Sequence, residues 1–157
     1  MNEAQPVARQ AKLLLVVACA LVDAESRVLI AQRPEGKQLA GLWEFPGGKV
    51  EAHECPEETL VRELAEELDI VVDQKALIPL TFASHRYETF HLFMPLYICR
   101  HWQRPIRVLE HQAILWVKPG ELSSYQMPPA DDLLIPHLVG AIERCPTHRD
   151  RATLQGC

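Results

Sequence analysis

The chain has 157 residues, 48% hydrophobic and 24% charged, which suits one folded domain with its own core and excludes a mainly disordered or fibrous protein. Lys and Arg number 16 against 21 Asp and Glu, and the formal charge of -5 disfavours non-specific grip on a nucleic-acid polymer or an anionic membrane. The five cysteines, Cys19, Cys55, Cys99, Cys145 and Cys157, are odd in number and hold no C-x-x-C pair, so they imply neither a disulfide framework nor a zinc site and suit a reducing cytoplasm.

Residues 1–11 are polar and lack an apolar period, so they read as a loose N-terminal tail before a single domain over 12–145. The run "LLLVVACALV" follows Arg9 and Lys12 as the core of a leader peptide would, but it is too short to span a membrane. A buried strand over 12–22 accounts for it better, because "DAES" and a second strand over 27–32 follow directly as turn and partner. Residues 33–41 form a loop, and "FPGGK" marks a second irregular stretch. From Pro56 to Leu68 the apolar period becomes helical, with Pro56 suited to the first position and Glu57 and Glu58 to the positive helix end. Strands are expected over 76–84, 90–99 and 113–117, with a short helix in "PGELSSY". A last helix over 131–144 should be bent or start late because of Pro136, and 146–157 reads as a second tail. Strands and helices that alternate in this way predict an α/β (α+β) domain, a mixed sheet flanked by helices.

The chemistry concentrates in "RELAEELDI". On a helix, Glu63, Glu66 and Glu67 share one arc, and Leu60, Val61, Leu64 and Leu68 the adjacent one. Like charges at this spacing cost only about 0.2–0.5 kcal/mol per pair, so a solvated face is one reading. The other is a hard divalent cation, since Mg²⁺ takes carboxylate oxygens and bridges them to substrate phosphates.

The residues before the helix decide between them. Gly48, Glu54, Arg62, Glu63, Leu64, Glu66, Glu67 and Ile70 lie in "GGKVEAHECPEETLVRELAEELDI" at a spacing that resembles the Nudix box, Gly-x5-Glu-x7-Arg-Glu-U-x-Glu-Glu-x-Gly-U, where U is bulky and aliphatic. Asp69 stands where the family usually has Gly; a left-handed helix exit is expected there, which Asp enters better than most residues. Further stretches, "VLIAQRPEGKQLAGLWEFPGGKVE", "EHQAILWV" and "YQMPPADDLLIPHL", are similar to the MutT branch of the family, which includes 8-oxo-dGTP diphosphatases and a CTP pyrophosphohydrolase.

The resemblance implies an α/β/α sandwich and a Mg²⁺-dependent enzyme, with Mn²⁺ as a substitute, that hydrolyses a nucleoside triphosphate to monophosphate and pyrophosphate. Oxidised guanine nucleotides, 8-oxo-dGTP above all, are the implied substrates and sanitation of the nucleotide pool the implied role. Glu63, Glu66 and Glu67 become metal ligands, the carbonyl of Gly47 or Gly48 a further one, and Glu54 with Arg62 a supporting ion pair. Glu63 is the first choice for the base acting on water; Glu110 is the runner-up and a further ligand. Arg33 takes the phosphate position, with a strand-end role equally open; Phe45 and Asp131 take the base-binding positions, while Trp43 and Trp116 read as core. An ionised Asp131 only accepts hydrogen bonds, which suits the donors of guanine or the amino group of cytosine. Helix capping is the alternative, with Asp132 as cap and Asp131 as base reader if both roles are present.

CTP or modified dCTP is the rival substrate, and a non-catalytic nucleotide-binding regulatory module the rival of another class. A domain of a DNA-repair glycosylase would need a partner domain for which this length leaves no room. The seven histidines show no paired metal spacing and receive no chemistry. No obligate protein partner is implied, and no Walker A or G-x-S-x-G motif is present.

Overall fold

The computed structural model describes residues 11–145. The tails expected over 1–11 and 146–157 lie outside these, apart from Ala11. Seven strands and two α-helices follow in the order β1 (Lys12–Leu21), β2 (Val28–Gln32), β3 (Trp43–Glu44), β4 (Gly47–Lys49), α1 (Pro56–Leu68), β5 (Ile78–Arg86), β6 (Phe90–Cys99), β7 (Ala113–Val117) and α2 (Pro129–Arg144). Short 3-10 helices occupy Gln74–Ala76 and Pro119–Ser124, the second falling on "PGELSSY".

The strands form two sheets. One is mixed, in the order β4-β1-β6-β5, with β1 parallel to β6 and the other pairs antiparallel. The other is antiparallel, in the order β3-β2-β7. Alternation of side chains along β1 explains the layering: Ala18 and Ala20 face one core with Leu134, Leu138 and Ile142 of α2, while Val17, Cys19 and Leu21 face a second with Leu60, Leu64 and Leu68 of α1. Helices thus cover both faces, the α/β/α arrangement that the alternating elements predict. All three α1 leucines are fully buried at i, i+4 spacing, each worth about 1.5–3 kcal/mol relative to exposure.

Three elements differ from expectation. "FPGGK" is not wholly irregular: it contains β4, which pairs with β1, and β3, which pairs with β2, ends just before it, so the chain changes sheets across Phe45 and Pro46. Gly47 allows that crossing, because its φ is 152° and an added Cβ would collide with the Val17 carbonyl. α2 starts at Pro129, earlier than expected, and continues through Pro136. Proline at the helix start has its φ already fixed near the helical value and lacks an N–H that would be unpaired there anyway, so it opens the helix. Consequently Asp132 is not the cap: Pro128 occupies that position without a side-chain cap, and both aspartates lie inside the first turn.

Candidate active site

β1, β2, β4 and α1 converge on one cavity of about 310 Å³. α1 is set by its ends. At its start the Glu58 carboxylate accepts from the Cys55 N–H at 2.9 Å, and at its end Asp69 adopts φ 57° and ψ 27°, the left-handed exit expected where the box usually has Gly. With the leucines turned into the core, Glu63 and Glu67 point at the cavity beside Gly47 and Gly48 of β4. The approach is close enough that a Cβ on Gly48 would push the Glu63 carboxylate out of its position.

Glu67 is the most constrained acid. It is 8% exposed, and its Oε2 accepts from the Gly47 N–H at 3.3 Å. Burial first, then the neighbouring charges of Glu63 and Glu44, push its carboxyl up to about 8. Burial also raises Glu63, against the opposing effect of Arg62. Glu54 goes the other way: two hydrogen bonds from Arg62, at 2.7 and 2.9 Å, and one from Thr59 at 2.8 Å hold it down to about 2.

Glu66 is separated from the other two acids. Its side chain is 50% exposed and faces Arg62 at 3.4 Å, while the same guanidinium holds Glu63 at 2.8 Å. Among the described residues no three His, Cys, Asp or Glu side chains converge closely enough to hold a metal ion as they stand. The donor set nevertheless fits a hard divalent cation: two crowded, half-buried to buried carboxylates beside a glycine backbone, with Glu110 on the same cavity wall.

Across the cavity stand cations. Arg33 follows β2 and is folded back by its own loop, with Arg33 N–H to Leu42 O at 2.9 Å and Gly41 N–H to Arg33 O at 3.1 Å. Its Nη1 donates to Glu44 Oε2, and Lys37 and Lys49 line the same cavity. A third side is formed by Asp131, 5% exposed, whose Oδ1 accepts from the Phe45 N–H at 3.1 Å. Burial pushes this acid up to about 7, partly countered by that N–H. The Phe45 ring is 3% exposed within the core, and a more apolar cleft of about 270 Å³, lined by Tyr87, Phe90 and Leu92, adjoins on the Asp131 side. Trp43 and Trp116 are part-buried against the two cores.

The cavity therefore gathers Arg33, Phe45, Gly47, Gly48, Glu63, Glu67, Glu110 and Asp131, and leaves Glu54, Arg62 and Glu66 off its lining. It also gathers Glu44, Lys37, Lys49 and His111, to which sequence reasoning gave no role. Glu44 and His111 were not legible: the first is marked only by lying between Trp43 and Phe45, the second only by adjoining Glu110. A lone histidine has no spacing signal.

Known proteins resemble this chain in sequence and in fold. The chain is 40% identical over 125 residues to the CTP pyrophosphohydrolase of Escherichia coli (strain K12), covering 76% of this chain and 87% of that one. It is 35% identical over 136 residues to the 8-oxo-dGTP diphosphatase of Haemophilus influenzae, covering 82% and 93%. Among solved structures, that of the E. coli ORF135 protein superposes with a TM-score of 0.75 at 31% identity, covering 87% of this chain and 95% of the other. A family model described as the NUDIX domain matches residues 17–137, and the chain belongs to that family.

Proposed function

We propose that this protein is a Mg²⁺-dependent nucleoside triphosphate pyrophosphohydrolase of MutT type that converts 8-oxo-dGTP, or a related oxidised guanine nucleotide, to the monophosphate and pyrophosphate. The observation that carries the reading is one cavity lined by crowded acids, by Arg33, Lys37 and Lys49, and by a buried acceptor, Asp131. That set matches a cation site, a polyphosphate and a base. The relatives named for 8-oxo-dGTP and CTP support it.

Glu63, Glu66, Glu67, Glu110 and the Gly47 or Gly48 carbonyl would hold Mg²⁺ or Mn²⁺, which when bound neutralises phosphate charge and polarises the phosphoryl group. The chain's own residues do the rest. Arg33 offers a permanently charged fork to phosphate oxygens, although it must share that fork with Glu44. Lys37 and Lys49 add point charges at the rim. Glu63 is placed to take a proton from the attacking water, because burial raises its affinity for protons and keeps it within the cavity. Glu110, exposed on its loop, is the second candidate. Glu54 fixes Arg62, which in turn fixes Glu63. Asp131 spends one oxygen on Phe45 and presents carboxylate acceptors to the amino and imino groups of a guanine edge.

A second reading, CTP or a modified dCTP as substrate, is favoured by the same Asp131, since an acceptor serves the cytosine amino group as well, and by the relative named for CTP. The free thiols of Cys19, Cys55, Cys99 and Cys145 support a reducing, cytoplasmic setting; among the described residues no helix is long and apolar enough to cross a membrane. A panel of triphosphates with Mg²⁺, ranked by kcat/KM and followed by phosphorus NMR, tests the proposal. Equimolar monophosphate and pyrophosphate with 8-oxo-dGTP at the head supports it, CTP at the head transfers it to the second reading, and orthophosphate release or tight binding without cleavage overturns it.

A further inference from the structure

His111 is the one buried ring of the cavity that the proposed chemistry leaves without a task. Its side chain is 3% exposed, its Nε2 lies 3.4 Å from Glu44 Oε1 and 3.8 Å from Glu67 Oε1, and its Nδ1 is buried without a hydrogen-bond partner. A ring that served packing alone would avoid this cost if replaced by an apolar side chain of similar volume. Glu44 and Glu67 each use their other oxygen elsewhere: Glu44 Oε2 accepts from Arg33, and Glu67 Oε2 from the Gly47 N–H. His111 Nε2 thus lies within ion-pair distance of both acids, between the Arg33–Glu44 pair and the Glu67–Gly47 contact.

The backbone holds it there from both sides. The loop before it is tied to the end of α1 by Arg107 N–H to Leu68 O and Leu109 N–H to Glu67 O, each 2.9 Å. The residue after it is tied to β2 by Gln112 N–H to Gln32 O at 3.1 Å, next to Arg33. A proton on Nε2 in this position would face both carboxylates and ease their mutual repulsion in a water-poor pocket.

We infer that His111 is a positioning residue that couples the Arg33–Glu44 arm, which meets the nucleotide phosphates, to Glu67, which meets the cation. This rests on the functional reading above, and its test has a readout that does not. Mn²⁺ affinity, measured by electron paramagnetic resonance on the full chain without nucleotide, falls about 10–100-fold in His111→Leu, the range for lost partners of metal ligands. His111→Gln, which keeps a donor, recovers most of it. With nucleotide, His111→Leu lowers kcat and raises KM together, because both arms are disturbed. A double variant of His111→Leu with Glu44→Gln loses no more Mn²⁺ affinity than the weaker single variant, since both break the same Glu44–His111 contact, whereas Glu54→Gln and His111→Leu multiply.

The inference is overturned by Mn²⁺ affinity within twofold of wild type in His111→Leu, by a Gln variant no better than Leu at equal folded content, or by multiplicative loss with Glu44→Gln. If the wild-type chain cleaves no triphosphate, the functional reading falls while the Mn²⁺ comparison still decides the role of His111.

Discussion

Glu54 and Glu67 belong to one loop-helix unit, yet the fold drives their carboxyl groups in opposite directions. Glu54 sits at the surface edge, receives Arg62 and Thr59, and is held down to about 2. Glu67 is buried, faces Glu63 and Glu44, receives one weak backbone N–H, and is pushed up to about 8. The first acid is satisfied by the protein; the second is not. Satisfied charges build architecture, whereas an acid held in an unfavourable setting by the surrounding core is the kind of group that binding or catalysis uses.

The largest effect that sharpens this contrast is at Glu67. Glu67→Gln should lower kcat/KM by about 10²–10⁴-fold while circular dichroism shows an intact fold, because the neutral amide relieves burial and removes only the charge. Unchanged turnover would erase the distinction. Glu54→Gln should cost less, about 10–100-fold, and act through Arg62, which then loses its anchor and leaves Glu63 less fixed; kinetics that match the Glu67 variant would place both acids in one class.

Asp131 offers a pH test of the same idea on the base side. Its ordinary value of 3.8 is raised to about 7, so the native state holds this proton more tightly than the unfolded chain. Stability contributed by the protonated form is therefore present below about pH 4 and lost as pH rises towards 7. Asp131→Asn, which keeps an acceptor for the Phe45 N–H, should remove that slope, worth up to about 4 kcal/mol between those limits. Denaturant melts of the metal-free protein at pH 4.5, 6 and 8 read it directly, and parallel curves for both proteins would contradict it. The smallest effect is at the helix exit: Asp69→Gly should stabilise by about 0.5–1 kcal/mol, because a left-handed φ strains Asp and not Gly, while the 3.4 Å pair with exposed Arg104 contributes little. A loss of stability would mean that Asp69 does more than end the helix.

These contrasts also separate what the sequence carries from what only packing creates. The helical period and Pro56 define α1 to the residue, and Asp69 takes the left-handed exit that its place predicts, because both depend on neighbours along the chain. "WEFPGGK" was harder: its two short strands owe their pairing to β1 and β2, and nothing local announces that the chain changes sheets at Phe45. Pro136 does not delay the start of α2 as the sequence alone suggests; Leu134 and Leu138 on either side of it are buried in the core. In the cavity, the acids with box spacing were legible and Glu44 and His111 were not. Their position depends on a loop tied at once to α1 and β2, a long-range arrangement without a sequence period.

The contrast between a satisfied and an unsatisfied acid comes down to where a divalent cation gains its binding energy. Calorimetric titration of Mn²⁺ into wild type, Glu54→Gln and Glu67→Gln, at one pH and without nucleotide, measures this directly. Glu67→Gln should lose at least about tenfold more affinity than Glu54→Gln, whose effect is confined to the indirect route through Arg62. Equal losses, or wild-type affinity in Glu67→Gln, would contradict it.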